Sequence, residues 1–484
     1  MRKLIISMTL LLGCASAFAQ QTDKLLQTLK SELNYSMEQL QKQPDHKPYY
    51  MSMRVEDKYT LVLKSSFGNK NGEDEVRTRL FSPQIRIGSK QLDNFKYTTQ
   101  GTQQYQGMSV TQPTMLPLDD NATDGIRAAI WKETNSRYKY ACQAFDEAKT
   151  KAATTAANED KAACFSDAPI EKYYDASIGN RYYQIDKIGW LKKLNEISAA
   201  FKAAPELLSG EASLTYQVSR VYFVNTEGSE VVQNRICGRI MLSTQAVAAD
   251  GMNLPLNKDY LAYDLDSLPS VEKIVTDAKD MVQRVLALRD APVADPYTGP
   301  AMLSGEASGV FFHEIFGHRL EGHRLKEGGE TFKKMVDQLV LPKEFQVYCD
   351  PTLRHYAGTD LNGYYKYDDE GVKARRVNNV VNGVLKSFLM SRVPLDGFPV
   401  SNGHGRTSDD KDPVSRQSNL IVETNKPYTD AQMRQMLRAE AKKQGKEYGY
   451  YFKTVTSGYT YTGEGGSLNS FNVTPLEVYR IFAD

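Results

Sequence analysis

Residues 304–322 read Ser-Gly-Glu-Ala-Ser-Gly-Val-Phe-Phe-His-Glu-Ile-Phe-Gly-His-Arg-Leu-Glu-Gly, and the rest of the chain is read outward from them. Ser308 has the side chain of a helix N-cap and Gly322 is a natural stop. Between them Val310, Phe311, Phe312, Ile315, Phe316 and Leu320 supply apolar packing, so the pattern predicts a buried helix. Into it the sequence places His313, Glu314 and His318, groups that are costly to desolvate unless something coordinates or hydrogen-bonds them. A hydrolytic metal centre needs neutral nitrogen ligands, an open position for water and a carboxylate to take that water's proton. His313 and His318 are therefore candidate Zn2+ ligands and Glu314 a candidate general base. Residues five apart project about 140° from each other on a regular α-helix, so the two imidazoles meet one ion only if the helix is distorted. A π-turn would do this, with least resistance at Gly317. The competing reading makes both ordinary histidines. His323, beyond Gly322, is expected to be solvated.

The chain has 484 residues, 41% of them apolar, enough for two or three domains. Sixty basic against 59 acidic residues leave a net charge of +1, so no global field favours nucleic acid or an anionic membrane. Arg2 and Lys3 precede an apolar run from Leu4 to Leu12 and a small-residue stretch from Ala15 to Ala19, the pattern of an export signal over residues 1–19. Cleavage before Gln20 would give a periplasmic protein, whereas Leu11-Leu12-Gly13-Cys14 also fits a lipid anchor at Cys14. No later run approaches the roughly 20 apolar residues of a membrane span. Cys142, Cys164, Cys237 and Cys349 would then lie where disulfides are permitted. Cys142 and Cys164 flank a stretch, 143–163, that reads as helix, turn, helix; a bridge across it and two separate thiols both fit.

Apolar spacing predicts a helix over Asp23 to Leu40, then strands from Tyr49 to Tyr97 with a turn at 68–72. Helical character follows over 124–161 and 183–203, strands through Leu242, and a helix over Ser270 to Arg289. Pro292, Pro296 and Pro300 then break the chain, dividing a mixed α/β N-terminal domain over 20–290 from a β-rich C-terminal domain over 291–484. A further helix is expected near Thr331 to Gln338. The fold class is α+β.

The block from Gly309 to Gly322 resembles the active-site helix of the TldD/PmbA metalloproteases, once labelled modulators of DNA gyrase. The likeness continues through Asp368-Asp369-Glu370-Gly371-Val372, Asn382-Gly383-Val384-Leu385, Asn402-Gly403-His404-Gly405-Arg406 and Ser415-Arg416-Gln417-Ser418-Asn419, covering most of the chain after Gly299. It implies a barrel-like β layer around the metal helix and subunits paired as a homodimer or related heterodimer. It also implies cleavage of unfolded or short peptides with little side-chain selectivity. Some members lack the motif and act as inactive partners; this chain keeps both histidines and the glutamate. In two places it departs. His323 stands where the family often has Asp, and the family's third ligand, a cysteine near the C-terminus, has no counterpart after Cys349. The apolar run ending at Asp484 suggests that a C-terminal segment is missing. The remaining candidates for a third ligand are Cys349, His355, His404, Glu370 and His323, with Cys349 equally readable as a buried strand residue. The expected function is zinc-dependent peptide hydrolysis. Its rivals are a non-catalytic envelope peptide-binding or partner subunit with an incomplete metal site, and a metal-dependent hydrolase of a non-peptide bond.

Overall fold

The protein is described here from a computed structural model covering residues 23–97, 104–105, 108–109, 114–154, 161–326, 330–408, 411–461 and 471–484. The expected leader, Cys14 included, lies outside the described residues. Strand β1 (Pro48–Ser66) carries Met51, Met53, Val55, Tyr59, Leu61 and Leu63 on alternate positions, and all are buried on one face. It pairs antiparallel with β2 (Asn69–Ile87), and further strands complete a seven-stranded sheet: β3 (Thr114–Met115), β4 (Lys172–Tyr174), β5 (Ser209–Asn225), β6 (Glu230–Val247) and β7 (Asn253–Ala262). The order is β3-β2-β1-β5-β6-β4, with β7 also on β6.

Four helices cover the apolar face. At one end α1 (Lys24–Gln41) and α2 (Thr123–Thr154) pack Leu25, Leu26, Leu29, Ile126 and Ile130 on Met51, Met53 and Val55. At the other, α3 (Lys187–Ala199) and α4 (Val271–Arg289) pack Leu194, Ile197, Ile274 and Val282 on Tyr59, Leu61 and Leu63. Between the two cores Asp57 on β1 meets Arg79 on β2 at 2.6 Å. The caps follow the sequence: Asp23 accepts from the Leu26 N–H and Ser270 from the Lys273 N–H. Arg54, Glu56 and Lys58 face the other way, across a polar cavity of about 860 Å³ from Arg354, Tyr364, Lys366 and Arg406.

The C-terminal part is built on two open sheets. One is β8 (Ala301–Leu303), β13 (Tyr448–Thr460) and β14 (Phe471–Phe482) in the order β8-β13-β14. The other is β9 (Phe345–Cys349), β10 (Val377–Val381), β11 (Val384–Leu385) and β12 (Leu420–Thr424) in the order β11-β10-β9-β12. Helix α5 (Gly305–Phe312) lies beside β13, and α6 (Asp430–Lys443) packs on β13 and β14. The α+β class holds, but the described strands close no barrel, so the expected barrel-like layer is instead a set of open sheets, these two being the larger.

Two local expectations change as well. Among the described residues α2 runs to Thr154 and 161–163 are not helical, and all four described cysteines are unbonded. Cys164 is buried and its Sγ donates to the Gln91 carbonyl at 3.2 Å, while Cys142 sits half-buried on α2. The helix expected near Thr331 to Gln338 is a single turn, Glu330–Lys333.

Candidate metal centre

The site helix begins earlier than the sequence suggested. Ser304, not Ser308, is the N-cap: its Oγ accepts from the Ala307 N–H, while the Ser308 N–H is already donated to the Ser304 carbonyl at 2.8 Å. After α5 the chain widens into one π-helical turn, His313–Gly317, and then tightens into a 3-10 turn, His318–Leu320. The His318 N–H bonds back to the His313 carbonyl, an i→i+5 closure that brings residues five apart onto one face. The imidazole centroids are 4.6 Å apart with ring planes at 74°. Gly317 permits the wide turn to be packed: a Cβ there would come 1.9 Å from Gln417 Oε1.

His313, Glu314 and His318 each place a ligand atom within 4.8 Å of the others. His313 Nε2 is 3.9 Å from Glu314 Oε1, and His318 Nε2 is 3.6 Å from Glu314 Oε2. The helix is less buried than expected; the His313 side chain is 47% exposed, whereas Glu314 is covered. Partial burial, with His318 beside it, lowers the His313 pKa and favours the neutral ring. His318 is oriented from behind. Its Nδ1 lies 3.2 Å from Oε2 of Glu321, a residue with no exposed surface, which also meets Arg324 Nε at 2.5 Å and Arg416 Nε at 3.5 Å. Burial would push the Glu321 carboxyl up, but the His318 hydrogen bond and the two guanidinium groups outweigh it and hold it at about 2. An ionised Glu321 fixes the proton on Nδ1 and leaves the Nε2 lone pair facing the cluster.

The other candidate ligands stand apart. Among the described residues none joins the His313, Glu314 and His318 group. Cys349 is a fully buried core thiol on β9, pushed up to about 12 by burial. His404 is buried between the Asn402 carbonyl and Ser418 Oγ, each 3.2 Å away, and His355 pairs with Asp360 on the surface. Glu370 is buried against the Arg392 N–H. His323 is buried, not solvated, because Gly322 does not end the segment: a further helical turn, Gly322–Lys326, carries it inward. Glu321 was within reach of sequence reading, three residues after His318 on a helix. Gln417, Gly458 and Thr460 also contribute to the site, but no local pattern announces them.

Residues 296–465 match the model of the PmbA/TldA metallopeptidase C-terminal domain, a region that contains the whole cluster. Over that region the chain is similar to the TldD/PmbA metallopeptidases. Curated relatives include a metalloprotease of Archaeoglobus fulgidus, 32% identical over 124 residues, 26% of this chain and 28% of that protein. A metalloprotease of Methanocaldococcus jannaschii is 27% identical over 209 residues, 43% of this chain and 42% of that protein. The chain thus matches less than half the length of these relatives. Over a longer span the fold resembles TldE from Thermococcus kodakarensis, with a TM-score of 0.61 and 14% identity over 94% of this chain and 88% of that one. A Bacteroides thetaiotaomicron protein described as a DNA gyrase modulator gives 0.58 and 12% over 96% and 88%. At such identities the likeness speaks for the fold.

Proposed function

We propose that this protein is a zinc-dependent peptidase of the TldD/PmbA type acting on unfolded or short peptides. The observation that carries the reading is the π-turn, which gathers two imidazoles and a carboxylate into one cluster within a domain of a metallopeptidase family. The two neutral imidazoles match zinc's usual nitrogen ligands and Glu321 supplies the supporting carboxylate, while the third protein ligand usual at catalytic zinc has no counterpart beside them among the described residues. Bound zinc would polarise a scissile carbonyl and acidify a coordinated water. His313 and His318 would hold it through Nε2. Glu314 would accept the proton of the attacking water and return it to the leaving amine. The outer strand β14 touches the π-turn, and main-chain pairing to such an edge would hold an extended peptide with little regard to its side chains. We place the mature protein in the periplasm on the strength of the leader, soluble or anchored through Cys14, and pairing of subunits rests on the family resemblance.

Elemental analysis with hydrolysis of an unfolded protein substrate tests this. Zinc and chelator-sensitive hydrolysis are expected, and Glu314→Gln should keep the metal while losing roughly 10²–10⁴-fold in activity. Bound zinc without hydrolysis would favour the non-catalytic partner, and activity of Glu314→Gln close to wild type would remove Glu314 from the role of base.

A further inference from the structure

The polar face of Glu314 is set by a strand that lies 146 residues further along the chain. Thr460, near the end of β13, places its Oγ1 2.6 Å from the Glu314 carbonyl oxygen and 3.2 Å from Glu314 Oε2. Two residues earlier on the same face, Gly458 leaves room for the glutamate stem: a Cβ there would lie 2.7 Å from Glu314 Cγ and 3.2 Å from Cδ. The strand meets the site helix at its start too. The Ser304 N–H donates to the Phe452 carbonyl at 2.9 Å, Ser304 Oγ donates to the Lys453 carbonyl at 2.6 Å, and Ala301–Leu303 pair with Tyr450–Phe452. The hairpin of β13 and β14 is itself held from the N-terminal part. Thr454 Oγ1 donates to Glu477 Oε2 at 2.8 Å, and Arg284 on α4 donates from Nε to Glu477 Oε1 at 2.9 Å.

We infer that Thr460, with Gly458, is a positioning residue for Glu314: the hydroxyl engages Oε2 and the adjoining carbonyl, and the bare glycine fixes the path of the stem, so that Oε1 is left as the proton-accepting oxygen. A hydroxyl carries one proton and has two acceptors here: turned to Oε2 it holds the carboxylate, and turned to the carbonyl it ties the strand to the backbone that carries Glu314. The nearly complete burial of Glu314 leaves few competing water contacts. Thr460 needs no contact with substrate for this role. The inference rests on the proposed base function of Glu314.

Thr460→Val keeps shape and removes the hydroxyl; Thr460→Ser keeps the hydroxyl and loses a methyl group. For Val the expected result is unchanged zinc content, a kcat lower by about 10-fold or more, and a KM within about two-fold, with Ser restoring most of the rate. A crystal structure of the zinc-free Thr460→Val protein supplies a readout that needs no turnover: the Glu314 carboxylate should leave its wild-type rotamer, and in the Ser variant it should not. Equal kcat in Val and wild type, or an unmoved carboxylate in the Val structure, overturns the inference. If wild type hydrolyses no peptide at all, the proposed function fails, and the rotamer comparison still decides whether Thr460 positions Glu314.

Discussion

A single carboxylate decides how the candidate metal cluster is oriented. Glu321 has no exposed surface, yet it carries a charge because His318 Nδ1, Arg324 and Arg416 surround it, with Gln417 Nε2 at 3.5 Å. Its work is to choose which nitrogen of His318 is free. Without that choice the imidazole can present either tautomer and rotate about its own axis. Glu321→Gln should therefore weaken zinc binding by about 10–100-fold while His313 and His318 remain in place. Competition against a chromophoric chelator measures this, with far-ultraviolet circular dichroism to verify the fold. An affinity within about two-fold of wild type would mean that the π-turn alone fixes the ring.

At the scale of elements, features with a local physical cause were legible. Asp23 and Ser270 could be read as caps, and the leucines of α1 follow helical spacing that survives into the packed core. The π-turn was legible because two ligands five apart cannot share an α-helical face. Other boundaries moved where tertiary contacts outvoted local signals. The segment from Gly68 to Gly72 looks like a loop, yet Asn69 and Lys70 pair with Ser66 and Ser65, and the chain turns at Phe67 and Gly68, both with positive φ. Phe67 tolerates that conformation because its N–H is held by the Gly210 carbonyl at 2.9 Å. Thr460 on Glu314 and Gln417 on Gly317 were invisible, since they depend on strand register set a hundred or more residues away. The second pair makes a prediction for the turn itself. Gly317→Ala removes a helix-weakening glycine but drives a methyl group into the Gln417 amide, so a net loss of roughly 1 kcal/mol is expected from overpacking. In a Gln417→Ala background the same change should be neutral or stabilising. Urea unfolding of the four proteins measures the coupling, and equal effects of Gly317→Ala in both backgrounds would show that the two side chains do not compete.

For the whole molecule, the C-terminal part is joined to the N-terminal sheet by buried charge. Arg392 meets Glu227 at 2.6 Å and donates to the Ser166 carbonyl, and Arg54 on β1 reaches Asp369. Two groups near this seam titrate in opposite senses. His404, flanked by Asn402, Ser418, Arg406, Arg375 and Asp350, is driven down to about 4, chiefly by burial. Glu370, facing Asp368, Asp369, Arg392 and Arg86, is raised to about 7, again chiefly by burial, and Asp368 beside it is raised as well. A histidine kept neutral contributes stability that is fully present above its unfolded value of about 6.5 and is lost as pH falls towards 4. A carboxyl kept protonated contributes stability that is fully present below about 4.5 and is lost as pH rises through 7. Each slope is at most about 1.4 kcal/mol per pH unit, so over their shared range they largely cancel. Glu370→Gln preserves an acceptor for the Arg392 N–H but cannot ionise. The stability of this variant, minus that of wild type, should climb with pH between about 4.5 and 6.5, by up to about 1.4 kcal/mol per unit. Urea midpoints for both proteins at several pH values across that range give the difference directly. A difference that stays flat would mean that Glu370 is already ionised in the folded protein, held so by Arg392 and Arg86.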